Sequence, residues 1–354
     1  MNRIRYLASP FGAGETAGGG RSGSGDMHRP ISRILVAGVG GAGGNIVRRF
    51  TGRKIEGVYH LFVNTCRAAL ERIETDAQAV TLCIGEGTTG GRGAGSRTEM
   101  GRRAAVESEQ ALRAALQGAD LVVIAAGMGG GTATGAAPVI AKCCRELGIM
   151  VVAVVSMPFS FEGTLRARHA ELGAKVLSAE ADGVVVVDDD DLLELSGKKT
   201  QFFKLSDEVL GTAIAEVISI CRPTGEVDIE LEEVKSVFSQ GVVRMGLGSS
   251  AAGEMPRGLA GRRAADSPLI PAKILKHATH AIVSITGDAS LEIDEINEIT
   301  SSIRERLNAR TNISMCLRLS EETKGYVQVA LFVAGHRDVG ALLPDNVVPF
   351  RRRT

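Results

Sequence analysis

The sequence predicts an α/β protein: a Rossmann-like parallel-sheet domain, joined by a central helix to a smaller α+β domain. Three glycine-rich segments each follow a short apolar run, and the last third of the chain combines several strand patterns with a helix pattern. Unbroken apolar runs are typical of parallel strands that are covered on both faces. With 354 residues, the chain is long enough for two domains that each have their own core.

Composition disfavours several broad classes of protein. Lysine plus arginine equals aspartate plus glutamate at 41 each, so no broad positive field attracts nucleic acid or an anionic membrane. No apolar run approaches the roughly 20 residues of a membrane span, and no apolar segment typical of a secretory signal follows Arg3 and Arg5. The six cysteines form no C-x-x-C pair, which favours buried free thiols in a reducing cytoplasm.

The first glycine-rich segment follows a strand predicted at Ile31–Ala37. It contains G-x-G-x-x-G at Gly38, Gly40 and Gly43, and a helix pattern comes directly after it. This order of strand, glycine turn and helix is that of a phosphate-binding loop.

The same motif is compatible with a nicotinamide or flavin dinucleotide site. Such a site uses an acidic residue at the end of the second strand to bind the ribose hydroxyls. The second strand is predicted at His60–Val63 and is followed by Asn64, so no carboxylate stands there and a dinucleotide oxidoreductase is disfavoured. Asn64 is then either a ligand contact or a turn residue without a ligand.

The strongest phosphate-binding pattern is the stretch Leu121–Pro138. Its apolar start, LVVI, leads into GMGGGTATG, where only glycine allows the backbone to turn tightly enough for several N–H groups to face one anion. Pro138 fits the first turn of the following helix, so that helix N-terminus faces the same anion. We interpret the stretch as a phosphate cradle; the alternative is a flexible glycine-rich loop.

A third glycine-rich segment, Gly85–Gly101, follows a strand predicted at Ala79–Ile84. Ligands of open parallel sheets bind at the carboxyl ends of the strands, so this loop is predicted to lie at the same edge as the other two. A helix is predicted at Gly101–Leu116, because its charged and apolar side chains fall on opposite faces.

Charged residues follow two further strands, predicted at Ile149–Val155 and Gly183–Val187. Glu162 and Arg166 would share a helix face four residues apart, either as a sugar-binding pair or as a surface ion pair. Four aspartates, Asp188–Asp191, come after the second of these strands, where carboxylates favour a helix N-terminus.

A strongly apolar helix is predicted at Leu205–Cys221, with the pattern of a helix buried between two domains. The acidic run Asp228–Glu233 follows it, and the chain then shows an α+β pattern with strands at Ala281–Thr286, Ile313–Leu319 and Tyr326–Ala334 and a helix at Ile293–Leu307. The predicted divisions are a disordered glycine-, serine- and arginine-rich extension at 1–30, a nucleotide-binding domain at 31–204, the central helix at 205–221, the α+β domain at 222–337 and a short basic tail at 338–354.

The segment Gly129–Gly135, GGGTATG, resembles the glycine-rich signature GGGTGTG of the tubulin/FtsZ family, from which it departs at Ala133. The likeness extends in order from about Ile31 to Gly335 and looks like the FtsZ branch. It implies the tubulin/FtsZ fold, binding of GTP and GDP, head-to-tail self-polymerisation with GTP hydrolysis, and a cytoplasmic cytoskeletal role in bacterial cell division.

The resemblance also implies which residues bind GTP. Pro158, Glu162 and Arg166 are similar to the segment whose Glu and Arg hold the ribose, and Phe203 and Asp207 fall where the family stacks against guanine and hydrogen-bonds to it. Mg²⁺ is expected to bind mainly through phosphates and water, with no direct protein ligands. The predicted GTP-binding residues are Gly40, Gly41, Ala42, Gly43, Gly44, Asn45, Asn64, Ala94, Gly95, Ser96, Arg97, Gly127, Gly129, Gly130, Gly131, Thr132, Ala133, Thr134, Gly135, Pro158, Glu162, Arg166, Asp189, Phe203 and Asp207.

Catalysis in the family uses acidic residues that the next subunit supplies to position the attacking water. Asp228, Glu230 and Glu233 stand where FtsZ usually has N-x-D-x-x-D, so they are the predicted catalytic residues. Each glutamate reaches one methylene further than aspartate, and a misplacement of ~1 Å can cost on the order of 100-fold in rate. We therefore expect GTP hydrolysis to be slow.

Three further departures lie near the nucleotide. Cys66 replaces an aspartate near the metal and water, Arg97 replaces an asparagine beside the γ-phosphate, and Asp189 replaces an asparagine that touches the base. An arginine at position 97 would hold that phosphate or stabilise charge in the transition state.

The tail Asp338–Thr354 is short and ends in three arginines, whereas FtsZ usually has a long linker and a terminal peptide for membrane tethers. The basic end would contact an anionic membrane weakly, at ~1 kcal/mol per charge, or only solubilise the chain. This favours a specialised FtsZ-like paralogue whose partners are itself and FtsZ or other division proteins. The alternatives are a GTP-stabilised filament or copolymer partner with little hydrolysis, and a dinucleotide oxidoreductase.

Overall fold

The computed structural model describes residues 31–74, 78–195, 202–223, 225–251 and 258–335. The predicted extension 1–30 and basic tail 338–354 lie outside the described residues. The described strands are β1 (Ile34–Val39), β2 (Val58–Asn64), β3 (Ala79–Cys83), β4 (Leu121–Gly127), β5 (Met150–Met157), β6 (Gly183–Asp188), β7 (Val242–Ala251), β8 (His280–Gly287), β9 (Asn312–Leu319) and β10 (Tyr326–Ala334). The described helices are α1 (Gly40–Phe50), α2 (Arg67–Leu70), α3 (Glu86–Thr89), α4 (Thr98–Glu107), α5 (Glu109–Leu116), α6 (Gly131–Glu146), α7 (Thr164–Ser178), α8 (Asp191–Leu195), α9 (Phe202–Cys221), α10 (Leu231–Phe238), α11 (Leu259–Ala265), α12 (Ala272–His277) and α13 (Ile293–Arg304).

The described strands form one sheet in the order β3-β2-β1-β4-β5-β6-β7-β10-β8-β9. Strands β1 to β6 are all parallel, and their order is that of a doubly wound nucleotide-binding fold. Strand β7 joins β6 through two parallel residue pairs, and β10 lies antiparallel between β7 and β8. The α/β prediction is confirmed, and the α+β part of the chain continues the same sheet.

Apolar side chains cover both faces of the sheet. Along β1, Leu35, Ala37 and Val39 contribute to a core shared with α5, α6 and α7. Ile34 and Val36 point to the other face, where the core is shared with α1, α9 and α10. Burial on both faces explains why the first strands read as unbroken apolar runs rather than as alternating patterns.

Helix α9 runs along the sheet from the edge formed by the carboxyl ends of the parallel strands to the edge formed by their amino ends. Its 20 residues correspond to a length of about 30 Å. Near its start, Ser206 Oγ donates to Asp189 Oδ1 at 2.6 Å, just beyond the carboxyl end of β6. Just after its end, Arg222 Nη1 donates to the carbonyl oxygen of Glu56 at 2.9 Å, close to the amino end of β2. The segments on either side of this helix therefore lie at opposite edges of the sheet.

Three elements differ from the sequence expectation. Helix α6 begins at Gly131, so Pro138 lies in the interior of that helix and not in its first turn as predicted. The helix predicted at Gly101–Leu116 is two helices, α4 and α5, which meet at Ser108, whose hydroxyl accepts the N–H of Gly85 at 2.9 Å. Strand β7 is not among the strands predicted from the sequence. Its Gly246 and Gly248 allow close contact with α11, because a methyl group on either glycine would come within 2.1 Å of a helix carbonyl oxygen.

No helix in the described ranges is both long and apolar enough to cross a membrane. All six cysteines lie within those ranges and are free thiols, but Cys66 and Cys316 are half-buried and not buried as predicted.

Close packing between α4 and α6 predicts opposite effects for two glycine-to-alanine changes. Gly135→Ala is expected to lower the free energy of unfolding by about 1–3 kcal/mol, because its methyl group would lie 2.1 Å from the carbonyl oxygen of Thr98. Gly211→Ala in α9 is the matched control: no atom lies within 4 Å of the added methyl group, so the free energy of unfolding should rise by about 0.5–1 kcal/mol. Urea unfolding followed by circular dichroism measures both, and equal effects would contradict the packing described.

Candidate functional site

The two strand–glycine–helix turns meet at the carboxyl ends of β1 and β4, which are neighbours in the sheet. Gly40 has a φ of +75°, and a methyl group at this residue would lie 3.2 Å from the backbone N of Ala133 in the second turn. Gly127, at the end of β4, lies against Ala42 in the first turn, where an added methyl group would come within 2.7 Å of the Ala42 Cβ. The predicted cradles are therefore two halves of one site.

Other glycines of the two turns face open space. At Gly41, Gly44 and Gly130, a methyl group would meet no atom within 4 Å. Helices α1 and α6 begin at these turns, so their first N–H groups and their dipoles favour an anion. The N–H of Gly129 serves the turn itself, since it donates to Thr134 Oγ1 at 2.8 Å.

The third glycine-rich loop closes against the second turn. A methyl group on Gly131 would lie 2.8 Å from the backbone N of Arg97 and 3.0 Å from the Cβ of Ala94. Gly95 and Ser96 both have positive φ, at +56° and +58°, and turn the chain between them. The exposed Arg97 then precedes α4, and its backbone lies beside the second turn at Gly131.

Glu162 and Arg166 form an ion pair, which fits both alternatives left open by the sequence, a sugar-binding pair and a surface ion pair. Arg166 Nε lies 3.2 Å from Glu162 Oε2, and Glu162 Oε1 accepts the N–H of Phe159 at 3.1 Å. Gly129 packs directly on the Arg166 backbone, because a methyl group there would come within 2.7 Å of its carbonyl oxygen. The segment that begins at Pro158 is thereby held beside the cradle.

The residues assigned to the base lie at the start of α9. Phe203 is 59% exposed and packs edge-on against the buried Phe159, with ring centroids 5.4 Å apart. Asp207 pairs with Arg49 of α1, whose Nε donates to its carboxylate at 2.9 Å. Asp189 is buried and accepts the Ser206 hydroxyl. Arg49 and Ser206 have no distinctive sequence pattern, and sequence reasoning missed both.

Burial dominates the electrostatics of this end of the site. It raises the pKa of Asp189 to about 7, although the Ser206 hydroxyl acts in the opposite direction, and the neighbouring Asp188, Glu162 and Asp207 add to the increase. Burial also raises the pKa of Asp207, against the lowering effect of Arg49.

Asn64 lies at the end of β2, where its Oδ1 accepts the N–H of Cys66 at 3.1 Å. This bond is that of a turn-forming asparagine. The next residue, Thr65, was not predicted, yet its hydroxyl lies 2.7 Å from the hydroxyl of Thr132 and links β2 to the second glycine turn.

A cavity of about 420 Å³ extends along the first turn. Gly41, Gly44 and Asn45 line one side of it, and Asn64 lines another. The cavity is therefore continuous with the glycine cradle.

The acidic segment lies at the opposite edge of the sheet from the cradle. Asp228 accepts the N–H of Gly225 at 2.9 Å and so closes a turn after α9. Glu230 is exposed at the position before α10, and Glu233, on the first turn of that helix, accepts the hydroxyl of Ser314 in β9. These carboxylates are neighbours in the sequence, and α9 separates them from the residues predicted to bind the nucleotide in the same chain.

Comparison with protein families agrees with this geometry. Residues 33–197 match the tubulin/FtsZ family GTPase domain, and residues 241–337 match the FtsZ family C-terminal domain. Over 307 residues the chain is 36% identical to the cell division protein FtsZ of Haloferax mediterranei, which covers 86% of this chain and 80% of that protein.

Solved structures share the fold. An empty FtsZ dimer from M. jannaschii matches with a TM-score of 0.78 and 33% identity, covering 86% of this chain and 88% of that one. CetZ2 from Haloferax volcanii, in a GTPγS-bound protofilament, matches with a TM-score of 0.72 and 21% identity, covering 86% and 93%; this likeness concerns the fold alone. The matches confirm the fold and the FtsZ resemblance inferred from the sequence.

The raised pKa of Asp189 predicts that stability falls as pH rises. The folded protein holds this proton up to a pH of about 7, whereas an unfolded aspartate releases it near 4, so the proton's contribution is complete below pH 4 and is lost between 4 and 7. The amide in Asp189→Asn stays neutral at every pH in this range. At pH 8 this variant should therefore have a free energy of unfolding about 1 kcal/mol or more above that of the wild type. Unfolding titrations from pH 5 to 8 would show this difference growing with pH.

The control variant, Asp266→Asn, should change the free energy of unfolding in the opposite direction. The Arg306 hydrogen bond lowers the pKa of Asp266, so Asp266→Asn should reduce stability, with an effect that shrinks as pH falls toward 4. An Asp189→Asn advantage that stays constant with pH would contradict the assignment.

Proposed function

The chain belongs to the tubulin/FtsZ family, and we propose that it is a cytoplasmic GTPase that polymerises head to tail and hydrolyses GTP between successive subunits. This proposal rests on the positions of the predicted phosphate-binding residues and the predicted catalytic residues. The glycine cradle and the acidic segment lie at opposite edges of one sheet, separated by a helix of about 30 Å. A second copy is needed to bring them together.

Head-to-tail contact satisfies this requirement. An interface between two different surfaces repeats without closing and so generates a filament, in which the acidic segment of each subunit faces the cradle of the next. The FtsZ dimer from M. jannaschii, to which the chain is 33% identical, supports an assembly of this kind.

Nucleotide binding follows from the chemistry of the cradle. The N-termini of α1 and α6 would take the phosphates, with Arg97 supplying a charge-assisted hydrogen bond. Glu162 and Arg166 would hold the ribose hydroxyls. Guanine would stack on Phe203, and its N–H groups would donate to Asp207, which selects GTP and GDP. The Asp207 carboxylate would then either give up its hydrogen bond from Arg49 or accept from both groups.

Mg²⁺ would enter with the triphosphate. Magnesium prefers oxygen ligands and retains several waters, so phosphate oxygens and water supply most of its coordination. The Thr65 and Thr132 hydroxyls beside the second turn are neutral oxygen donors suited to such an ion or its waters. When bound there, such an ion would supply positive charge against the phosphates.

Hydrolysis would use Glu230 and Glu233 of the adjacent subunit to orient the attacking water, with Asp228 shaping the turn that presents them. Catalysis of phosphoryl transfer consists mainly of positioning and electrostatic stabilisation, and here the backbone N–H groups and Arg97 would stabilise the developing charge. The additional methylene of each glutamate changes the position of the carboxylates, so turnover is expected to be slow.

The biological role we propose is in cell division or a related membrane-associated process, since a relative that covers most of the chain is a cell division protein. The named relatives come from Haloferax and M. jannaschii, so the proposal does not retain the bacterial restriction that the resemblance implied. FtsZ or other division proteins are the proposed partners besides the chain itself. Weak membrane contact is assigned to the tail at 338–354, outside the described residues.

The second candidate is a GTP-stabilised filament or an FtsZ copolymer partner with negligible hydrolysis. Two sets of replacements favour this second candidate. Three positions of the acidic segment differ from the usual FtsZ residues, and Cys66 stands where FtsZ usually has an aspartate near the nucleotide. Sedimentation with GTP, GDP or ATP, with phosphate release read in parallel, separates the two. Filaments with GTP but no phosphate release would establish the structural role, whereas release that accompanies assembly supports the GTPase.

The acidic segment provides the sharpest mutational test. The double change Glu230→Ala with Glu233→Ala should leave GTP binding unchanged and abolish phosphate release, because these carboxylates act on the neighbouring subunit's nucleotide. Equilibrium binding and phosphate release measure the two effects. Glu232→Ala is the matched control, since Glu232 lies on the same helix turn and pairs with Lys235; its release rate should stay near that of the wild type. Undiminished release by the double variant would refute the assigned role.

A further inference from the structure

Arg244 is a buried cation in the middle of the sheet. It lies in β7, is 2% exposed, and ranks first by volume among the fully buried side chains of the described residues. Arginine stays protonated in proteins, and a guanidinium removed from water requires anionic partners. Its partners therefore reveal what this cation holds in place.

Two acidic residues that act on Arg244, Asp188 and Asp191, come from the turn Asp188–Asp191, which we call the four-aspartate turn. Arg244 Nη1 lies 3.5 Å from Asp191 Oδ2. Asp188 is buried, which raises its pKa, and the charge of Arg244 acts in the opposite direction. Arg244 thus offsets the first and last of four consecutive carboxylates.

The two middle carboxylates point to the nucleotide side. Asp189 accepts the hydroxyl of Ser206, next to the base residue Asp207, and Asp190 accepts the N–H of Ser160 at 3.0 Å, in the segment that carries Glu162. The backbone N–H of Asp190 donates to Asp188 Oδ1 at 3.1 Å. This bond connects the half of the turn held by Arg244 to the half that supports the nucleotide residues.

Negative charge surrounds this turn on several sides. Glu162 faces it from the segment after β5 and Asp207 from α9, while Asp188 to Asp191 lie within the turn itself. Among the described residues, Arg244 from β7 acts on this turn, and Arg49 and Arg48 from α1 act on Asp207. Without the charge of Arg244, the carboxylates would repel one another most strongly at a pH where all are ionised.

We propose that Arg244 is a positioning residue for the base end of the nucleotide site, which it serves by fixing the four-aspartate turn from the β7 side. The inference rests on the proposed nucleotide-binding function. It connects nucleotide affinity to β7, the first strand of the C-terminal part of the sheet.

The test is GDP binding by calorimetry, since GDP reports on the base and ribose contacts without hydrolysis. Arg244→Met keeps much of the side-chain volume and removes the charge, and at pH 8 it should weaken GDP binding about 10-fold. At pH 6 the loss should be smaller, because Asp189, whose pKa burial raises to about 7, takes up a proton. Adding Asp191→Asn to Arg244→Met should restore most of the affinity. Arg306→Met, which breaks an ion pair in the C-terminal part of the chain, is the control and should bind as the wild type does.

Each outcome decides one question. Failure of the wild type to bind GDP would overturn the proposed function. Wild-type affinity in folded Arg244→Met, or a loss that is equal at both pH values and unrelieved by Asp191→Asn, would overturn the positioning role. If Arg244→Met does not fold, Asp191→Asn alone carries the test: weaker GDP binding at pH 8 supports the proposal, and unchanged binding contradicts it.

Discussion

Close backbone contact between the loops at the carboxyl edge of the sheet is the constraint on which the nucleotide site depends. A methyl group on Gly43 would lie 2.2 Å from the carbonyl oxygen of Ala125, and one on Gly101 would lie 2.0 Å from that of Gly131. Such distances exclude side chains, so these glycines set how closely the three loops approach one another. The N-termini of α1 and α6 then converge on one volume, which suits a polyphosphate better than separate anions.

The same architecture separates binding from chemistry. Helix α9 begins beside the base residues and ends near the acidic segment, and the continuous sheet fixes the distance between them. The acidic segment is fixed in place and cannot move to the cradle of its own subunit as a flexible loop could. Glu233 accepts a hydrogen bond from Ser314, and Asp228 closes a turn near β9. We therefore infer that hydrolysis is a property of two subunits in contact, and that assembly controls it.

The sequence was most informative where a pattern is local. The apolar runs located β1 to β6, and the glycine motifs located the turns, because each depends on residues near one another in the chain. Strand β7 was missed because its glycines, which allow α11 to pack closely, resemble those of a loop. The ion pairs of Arg49 with Asp207 and of Arg244 with Asp191 join residues 158 and 53 positions apart, so no local pattern announces them. The roles of Glu230, Glu233 and Phe203 came from the family resemblance, and they stay predictions.

The dependence of turnover on protein concentration tests the account most directly. If the acidic segment of one subunit completes the site of the next, phosphate release per molecule should be negligible at low concentration and rise cooperatively as filaments form. Light scattering recorded in the same samples would show assembly and release beginning together. Release per molecule that stays constant down to concentrations without assembly would contradict the account, because a single subunit would then contain the complete catalytic site.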